Sequence, residues 1–407
     1  MTGDSARAPG PSTELRGAPA DRVRAALRDN DPFPGGRGFA GLLADPSGRD
    51  GGDGGDAPVL VRDVLGRQPL FVERGAPNPT VDGAWSFDRT ALDDPVSVPA
   101  GGVVSAADTG VSGAERVWSL PEEGPVDPAP GQAAVDAAID EALSEIGRGD
   151  SGESVGDEGR LAVAFSGGVD SGLVAAAAPD APCYVAGFEG CHDVAAAREA
   201  AEAMGRETDL RVVEITHDDL LRAVREVARA TGRRNPMDVA IAVPLYLTAE
   251  AAAADGAARL AVGQGADELF GGYSKVVEPA DDDRVDADTV RGARTETVRT
   301  LPGQLERDVL ALRAAGVEPV APLLDDRIVR AALALPDELL AADGERKIAL
   351  RRAASGRVPE SVRTADKKAV QYGTYVSREL DRLARQAGFK RRMDDHVGRY
   401  LDVLLAE

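Results

Sequence analysis

Cysteine, lysine and aromatic residues are all scarce in this chain of 407 residues. Its two cysteines, Cys183 and Cys191, cannot build a disulfide framework and lack the spacing of a zinc site. Residues 1–20 lack the apolar core of a signal peptide, and no apolar run stands out as long enough to span a membrane. We therefore expect a cytoplasmic protein that makes no contact with a membrane.

Positive charge is also scarce, since 69 acidic residues outnumber 47 basic ones and the formal net charge is −22. Such a chain repels phosphate backbones at long range, so we expect no nucleic-acid partner. The acidic residues are spread through the whole chain, which is typical of a halophilic protein whose carboxylates stay hydrated at high salt. A dedicated acidic binding face is the alternative.

The first part of the chain changes composition twice. Residues 1–36 are rich in Pro, Gly, Ala and Arg and predict a flexible tail with one short helix at 20–29. Residues 37–120 predict a small β-rich domain, and residues 121–160 a linker with one helix at 132–146. The short runs that predict strands in the β-rich part are 59–61, 69–72, 96–99 and 102–105.

From residue 161 onwards, short apolar strands alternate with helices. This alternation predicts an α/β fold, a parallel sheet with helices on both faces and with ligands at the carboxyl ends of its strands. The predicted strands are 161–165, 183–188, 210–215 and 259–263, and the predicted helices between them are 193–204, 218–231 and 243–254. Beyond residue 271 the pattern is almost wholly helical, with helices predicted at 288–300, 303–315, 325–334, 346–354 and 374–387.

The sequence FSGGVDS at residues 165–171 lies where a buried strand gives way to a helix. Glycines there let the main chain approach an anion, while serines, exposed amides and the start of the helix favour negative charge. A ligand-free tight turn of small residues is the alternative. The loop lacks the lysine of the common nucleoside-triphosphate loop and resembles the pyrophosphate-binding loop of the N-type ATP pyrophosphatases.

A second loop, VGQGADELFGGY at residues 262–273, follows another predicted strand and should emerge at the same edge of the sheet. Together the two loops resemble the synthetase domain of the asparagine synthetase family. Further motifs in the family's order support the resemblance, which covers about residues 161–376: GFEG at 187–190, PLY at 244–246, PLLD at 322–325 and RKIALR at 346–351.

The resemblance implies an adenine nucleotide alpha hydrolase-like fold and an ATP-dependent ligase that forms AMP and pyrophosphate through an acyl-adenylate. It implies magnesium held by Asp170 and Asp267, although an acidic pair at a helix start is the plain alternative for the second loop. Catalytic roles are implied for Gln264 and for Lys367, with Lys368 as the alternative if the alignment slips by one residue. The implied ATP-binding residues are Ala164, Ser166, Gly167, Gly168, Asp170, Ser171, Val262 and Gly263.

The chain departs from the family at several positions. The amino-terminal part resembles a degenerate glutaminase domain, but it has no cysteine nucleophile, so we expect free ammonia, another amine or ammonia from a partner subunit as the nitrogen donor. Gln264 stands where the family often has a glutamate, and Gln cannot act as a general base. Ala240 and Val320 align with family arginines, which weakens the case for aspartate as the acceptor carboxylate.

Two other functions stay open on the sequence alone. The chain could be a nucleotide-binding regulatory or scaffold protein that kept the fold, which the changes at 240, 264 and 320 favour. It could also adenylate an acceptor other than aspartate. A nucleotide-dependent RNA-modifying enzyme is less well supported, because the basic RNA-binding modules of such enzymes are not found.

Overall fold

The computed structural model describes residues 12–47, 57–122, 124–146, 159–365 and 373–406. The chain forms two compact units, and the boundary between them in the sequence lies between Leu120 and Pro121.

The amino-terminal unit is built from short antiparallel strands around a small apolar core. Its elements are β1 (Glu14–Arg16), α1 (Ala20–Asp29), β2 (Ala40–Leu43), β3 (Val59–Arg62), β4 (Phe71–Glu73), β5 (Trp85–Ser86), β6 (Pro95–Ser97), β7 (Gly102–Ser105) and β8 (Glu115–Arg116). One sheet has the order β1-β2-β3-β7-β8 and the other β5-β4-β6. Leu42, Leu60 and Val72 lie in the shared core, and a buried ion pair joins Asp63 to Arg67 at 2.8 Å.

The expected flexible tail at 1–36 is wrong for its described part, because residues 12–36 contain β1 and α1. Strand β1 pairs with β2, and α1 buries Val23 and Ala26. The indole of Trp118 donates to the carbonyl of Ala26, which fixes the helix to the rest of this unit. Tertiary packing therefore orders a segment whose composition alone predicts disorder.

The carboxy-terminal unit opens with a helix and then alternates strands and helices. Its first elements are α2 (Pro128–Ser144), β9 (Arg160–Ala164), α3 (Val169–Ala177), β10 (Cys183–Gly187), α4 (His192–Ala203), β11 (Leu210–Glu214), α5 (His217–Thr231), α6 (Pro236–Ala254), β12 (Ala257–Ala261) and α7 (Ala266–Phe270). The remainder comprises α8 (Val290–Ala314), β13 (Glu318–Val320), α9 (Asp326–Leu333), α10 (Asp337–Leu340), β14 (Ala341–Ala342), β15 (Glu345–Arg346), α11 (Ile348–Ala353), α12 (Glu360–Arg363), α13 (Gly373–Gln386) and α14 (His396–Leu404).

A five-stranded parallel sheet of order β11-β10-β9-β12-β13 organises this unit. Tyr184 and Ala186 of β10 pack in the core with α5 and α6, while the alternate residues Cys183 and Val185 are buried on the opposite face. Helices thus cover both faces, and the predicted fold class is confirmed. Strand β9 has β10 on one side and β12 on the other, so the connections that follow these strands leave β9 in opposite directions. A crevice therefore opens at the carboxyl ends of β9 and β12.

Proline misled the helix predictions at two places. Helix α6 begins seven residues before the predicted start and contains Pro244, and α8 is one helix around Pro302 rather than two. Helix α6 is also long and apolar enough to cross a membrane, contrary to the expectation from the sequence. In this structure 56% of an 18-residue apolar stretch of α6 is buried against the sheet and neighbouring helices, which is typical of a core helix.

Candidate functional site

A cavity of about 320 Å³ lies at the carboxyl edge of the parallel sheet. The two predicted loops form one side of it, α6 and α8 contribute a second wall, and the segment around α11 contributes basic side chains. Residues that line it include Ala164, Ser166, Asp170, Ile241, Leu245, Gln264, Asp267, Leu305, Asp308 and Lys347.

The first loop is held in shape by its own hydroxyl groups. Ser171 donates to the carbonyl of Gly168 at 3.2 Å and accepts from the amide of Ser166 at 3.2 Å. Gly167 has a φ of 78°, and a Cβ there would lie 2.6 Å from the carbonyl oxygen of Ala196, so the turn requires glycine. Helix α3 starts directly after the turn, and its first residues, 169–171, line the cavity where the free amides of a helix start can bind an anion.

Lys347 joins the two loops by contacting a carboxylate from each. Its Nζ lies 2.6 Å from Asp170 Oδ2 and 2.7 Å from Asp267 Oδ1. The lysine side chain is only 7% exposed, so these contacts are little screened by solvent. Two aspartates from loops far apart in the sequence thus meet in one cavity, as predicted.

The backbone around Lys347 shows how the fold delivers this ammonium group. Lys347 has a φ of 57°, a left-handed conformation that is uncommon for a residue with a side chain. A Cβ at Gly272 would overlap both Asp267 and Lys347, so a side chain at 272 would displace the lysine. The guanidinium of Arg346 donates to the Gly272 carbonyl at 2.8 Å and ties the two segments together.

The two aspartates fit a divalent cation that also contacts phosphate. Asp170 Oδ1 is buried and has no hydrogen-bond partner within the described parts of the chain. Two carboxylates against one lysine leave a net negative charge, and Mg²⁺ is commonly held by one or two carboxylates together with phosphate oxygens. No cluster of three or more acidic, His or Cys side chains suited to a metal occurs among the described residues, so the phosphates would have to complete the shell.

Glu268, the residue after Asp267, is a buried acid. Burial and the neighbouring charge of Asp267 raise the pKa of Glu268, which accepts a hydrogen bond from the Tyr273 hydroxyl. Burial and the Glu268 carboxylate in turn raise the pKa of Tyr273. The hydrogen bond between Tyr273 and Glu268 joins two residues of the second loop, so Glu268 already has a structural partner.

Gln264 is held by a carboxylate on α8. Its Nε2 donates to Asp308 Oδ2 at 2.6 Å, and Arg307 Nε donates to Asp308 Oδ1 at 2.7 Å. Arg307 also reaches Asp238 at 2.8 Å. Burial raises the pKa of Asp308, although the Arg307 charge opposes that rise.

The cavity gathers most of the residues that the sequence singled out. Those lining it are Ala164, Ser166, Gly168, Asp170, Ser171, Val262, Gly263, Gln264 and Asp267. Gly167 shapes the turn from outside the lining, as its contact with Ala196 shows. Lys367 and Lys368 lie outside the described residues. Ala240 and Val320 are buried, at 3% and 6% exposure.

Sequence reasoning missed two functional candidates. Lys347 could have been noticed as one of five lysines in the chain and as part of the RKIALR motif. Asp308 carries no local signal, because it is one acid among 69 and its importance depends on α8 packing beside the second loop.

Comparison with known proteins agrees with this geometry. A model of the asparagine synthase family matches residues 154–294 and 281–403. A protein of Methanocaldococcus jannaschii, named provisionally as a glutamine-hydrolysing asparagine synthetase, is 28% identical over 280 residues, 60% of this chain and 51% of the relative. The glutamine-hydrolysing asparagine synthetase of Asparagus officinalis is 26% identical over 312 residues, 69% of this chain and 48% of the relative.

Asparagine synthetase B of Escherichia coli, also named glutamine-hydrolysing, is 26% identical over 239 residues, 53% of this chain and 41% of the relative. The chain therefore spans about half the length of the curated relatives it matches. The family model begins at residue 154, within the carboxy-terminal unit, which contains the whole cavity.

Proposed function

The chain belongs to the asparagine synthase family, and on that premise we propose that it is a ligase that forms amides at the expense of ATP, releasing AMP and pyrophosphate. One observation supports this most strongly: Asp170 and Asp267, from the two family loops, converge on Lys347 in a single cavity. We place the nucleotide with its phosphates at this point and its adenosine towards Ala164, Val262 and Gly263.

In the first half-reaction, an oxygen of the substrate carboxylate attacks the α-phosphorus of ATP, and pyrophosphate leaves. Ser166, Ser171 and the first amides of α3 hold the phosphates, while Lys347 offsets charge that grows on the departing pyrophosphate. A magnesium ion held by Asp170 and Asp267 would add further charge neutralisation there. We assign a second cationic role to Lys367, or to Lys368 if the register differs by one residue.

In the second half-reaction, a nitrogen nucleophile displaces AMP from the acyl-adenylate. We propose free ammonia or another amine as the donor, since residues 1–182 contain no cysteine to hydrolyse glutamine. The curated relatives are named as glutamine-hydrolysing, so this chain would differ from them in its nitrogen source.

The acceptor carboxylate is proposed to differ from aspartate. Ala240 and Val320 are buried and apolar where the family has arginines, so neither supplies a cation for an α-carboxylate. Arg307 lies in the cavity, but Asp238 and Asp308 already neutralise it. Ile241, Leu245 and Leu305 add apolar surface to the same cavity.

The test is a screen for carboxylate-dependent AMP. The purified chain is incubated with ATP, Mg²⁺, ammonium chloride and single carboxylates that include aspartate, glutamate and aliphatic monocarboxylates. We expect AMP and pyrophosphate in equal amounts, with a carboxylate other than aspartate giving the higher yield and with EDTA abolishing both products. Tight ATP binding with no AMP from any carboxylate would instead favour a regulatory or scaffold protein that kept the fold.

A further inference from the structure

The amide-forming step has to dispose of a proton. The lone pair of the nitrogen attacks the acyl carbon, the new C–N bond forms, and the bond from that carbon to the phosphate oxygen breaks. AMP leaves with the electron pair, and the nitrogen must lose one hydrogen as a proton. Gln264 cannot take it, because an amide is not a base at ordinary pH.

The carboxylates that line the cavity in the described part of the chain differ in their ion-pair and hydrogen-bond partners. Asp170 and Asp267 are paired with Lys347, and Glu268 accepts from Tyr273. Asp193 lies in the first turn of α4, and no contact between it and Gln264 is seen among the described residues. Asp308 is the acid in direct contact with Gln264.

The contact between Gln264 and Asp308 also orients the amide. An ionised carboxylate can only accept hydrogen bonds, so Gln264 must turn its NH₂ group towards Asp308. Its carbonyl oxygen then remains as an acceptor for an N–H group. The pair offers an incoming amine one neutral acceptor and one basic oxygen side by side.

We propose that Asp308 is the proton acceptor for the nitrogen nucleophile and that Gln264 positions this nucleophile through its amide oxygen. The carboxylate that the second loop lacks at position 264 is thus supplied by α8. The ligand class is ammonia or a primary amine in its uncharged form. The inference rests on the proposed function, since it concerns the second half-reaction only.

The surroundings of Asp308 suit this task. Burial raises the pKa of its carboxyl, and a carboxylate with a raised pKa is a stronger base. Arg307 and Asp238 are the charged groups beside it, and Tyr273 is a further titratable neighbour. The charge of Arg307 opposes that rise and favours the ionised form of Asp308, which is the form that can accept a proton.

The experiment separates the two half-reactions. Carboxylate-dependent exchange of labelled pyrophosphate into ATP, without ammonia, reports the first, and amide formation with ammonium chloride reports the second. The carboxylate is the one that gives most AMP in the screen above. Asp308→Asn should keep exchange within about threefold and lower amide formation by about 10²–10³-fold, the range of general base catalysis.

Two variants guard against a purely structural effect. Glu306→Gln removes another buried carboxylate of α8, one that is paired with Arg233 and lies outside the cavity lining, and it should leave amide formation within about threefold. The double variant Gln264→Glu with Asp308→Asn returns a carboxylate to the loop and should regain at least about tenfold over Asp308→Asn alone. A packing role for Asp308 gives no reason for such rescue.

Each outcome decides the point. If exchange proceeds and Asp308→Asn forms amide at the wild-type rate, the inference fails while the proposed function stands. If the double variant stays as slow as Asp308→Asn, or Glu306→Gln is equally slow, Asp308 acts only through structure and the inference fails as well. If the wild type shows no exchange with any carboxylate, the proposed function itself fails, and this inference with it.

Discussion

The two ends of the cavity differ in how charge is arranged. At the phosphate end, formed by Ser166, Asp170, Ser171, Asp267 and Lys347, charged groups converge on one point, and a buried carboxylate oxygen of Asp170 has no partner among the described residues. At the acceptor end, formed by Gln264, Gln304, Leu305 and Asp308, each polar side chain has a hydrogen-bond partner within the protein, and several residues of the wall are apolar. Under the proposed function, ATP binds at the first end and an acceptor other than aspartate binds at the second.

The largest effect is expected at the phosphate end. Asp170→Asn keeps the shape of the side chain but removes a charge from the proposed metal site and from Lys347. Carboxylate-dependent AMP formation should fall by about 10²–10³-fold, measured as initial rates at saturating Mg²⁺. Asp180→Asn, at an exposed position after α3, is the matched control. A loss of less than about tenfold in Asp170→Asn would contradict the proposed difference between the two ends, because AMP formation would then not depend on the phosphate end.

Replacing the buried lysine tests the same end from the cationic side. In Lys347→Met, Asp170 and Asp267 lose a shared buried partner, so the free energy of unfolding should fall by about 3 kcal/mol in the absence of metal. Added Mg²⁺ can then occupy the vacated position, so it should raise the melting temperature more in this variant than in the wild type. Thermal unfolding with and without Mg²⁺ measures both effects.

Lys390→Met, at an exposed position, should leave both melting temperatures unchanged. An equal Mg²⁺-induced rise in wild type and Lys347→Met would show that the two aspartates do not bind the ion in the way proposed.

Lys367 and Lys368 lie outside the described residues, and the resemblance implies a catalytic role for one of them. From the resemblance, Lys367→Met should lower the rate of AMP formation by about 10²-fold with little change in ATP affinity, since a charge that acts on the transition state is lost. Lys368→Met should lower it by less than about fivefold. Comparing kcat and KM of the two variants assigns the role, and the reverse pattern would move it to Lys368.

Particular helices and strands show how much of the fold can be predicted from the sequence. Helix α1 was predicted at its observed bounds, and each predicted strand of the parallel sheet lies within two residues of the observed one, because apolar runs and turn residues mark such elements locally. Strands β1 and β2 were missed, since they lie in or beside stretches rich in glycine and proline, whose composition favours a tail or a loop. Helix α8 was split at Pro302, although burial of residues such as Leu301 and Leu305 on both sides of the proline keeps it continuous.

The site shows the same limit. Both loops carry local signatures, so their meeting in one cavity could be predicted from the order of strand and loop. Lys347 reaches that cavity through a left-handed backbone after the β14–β15 hairpin, and Asp308 reaches it through the packing of α8 on α7. Neither arrangement has a sequence pattern of its own, so only the tertiary structure identifies these two residues.

The pH profile should separate the two ends. If ionised Asp308 is the active form, the rate of amide formation per concentration of uncharged ammonia should fall about tenfold per pH unit below the pKa of Asp308, which burial raises above its ordinary value. Pyrophosphate exchange does not need this base, so its profile should lack that acidic limb. Rates of both reactions across the acidic range give the comparison, and profiles that coincide would contradict the division of labour between the ends.

The smallest effect is expected from a polar residue of the acceptor end that already has a partner. Gln304 lines the cavity, but its Nε2 donates to Thr300 Oγ1 at 2.7 Å, so it has little hydrogen-bonding capacity left for a ligand. Gln304→Ala should raise the KM of the acceptor carboxylate by about threefold, the worth of part of one neutral hydrogen bond, and leave the KM of ATP unchanged. Gln386→Ala, at the exposed end of α13, should change neither constant. A rise in the KM of ATP in Gln304→Ala would place the nucleotide, rather than the acceptor, against α8 and reverse the assignment of the two ends.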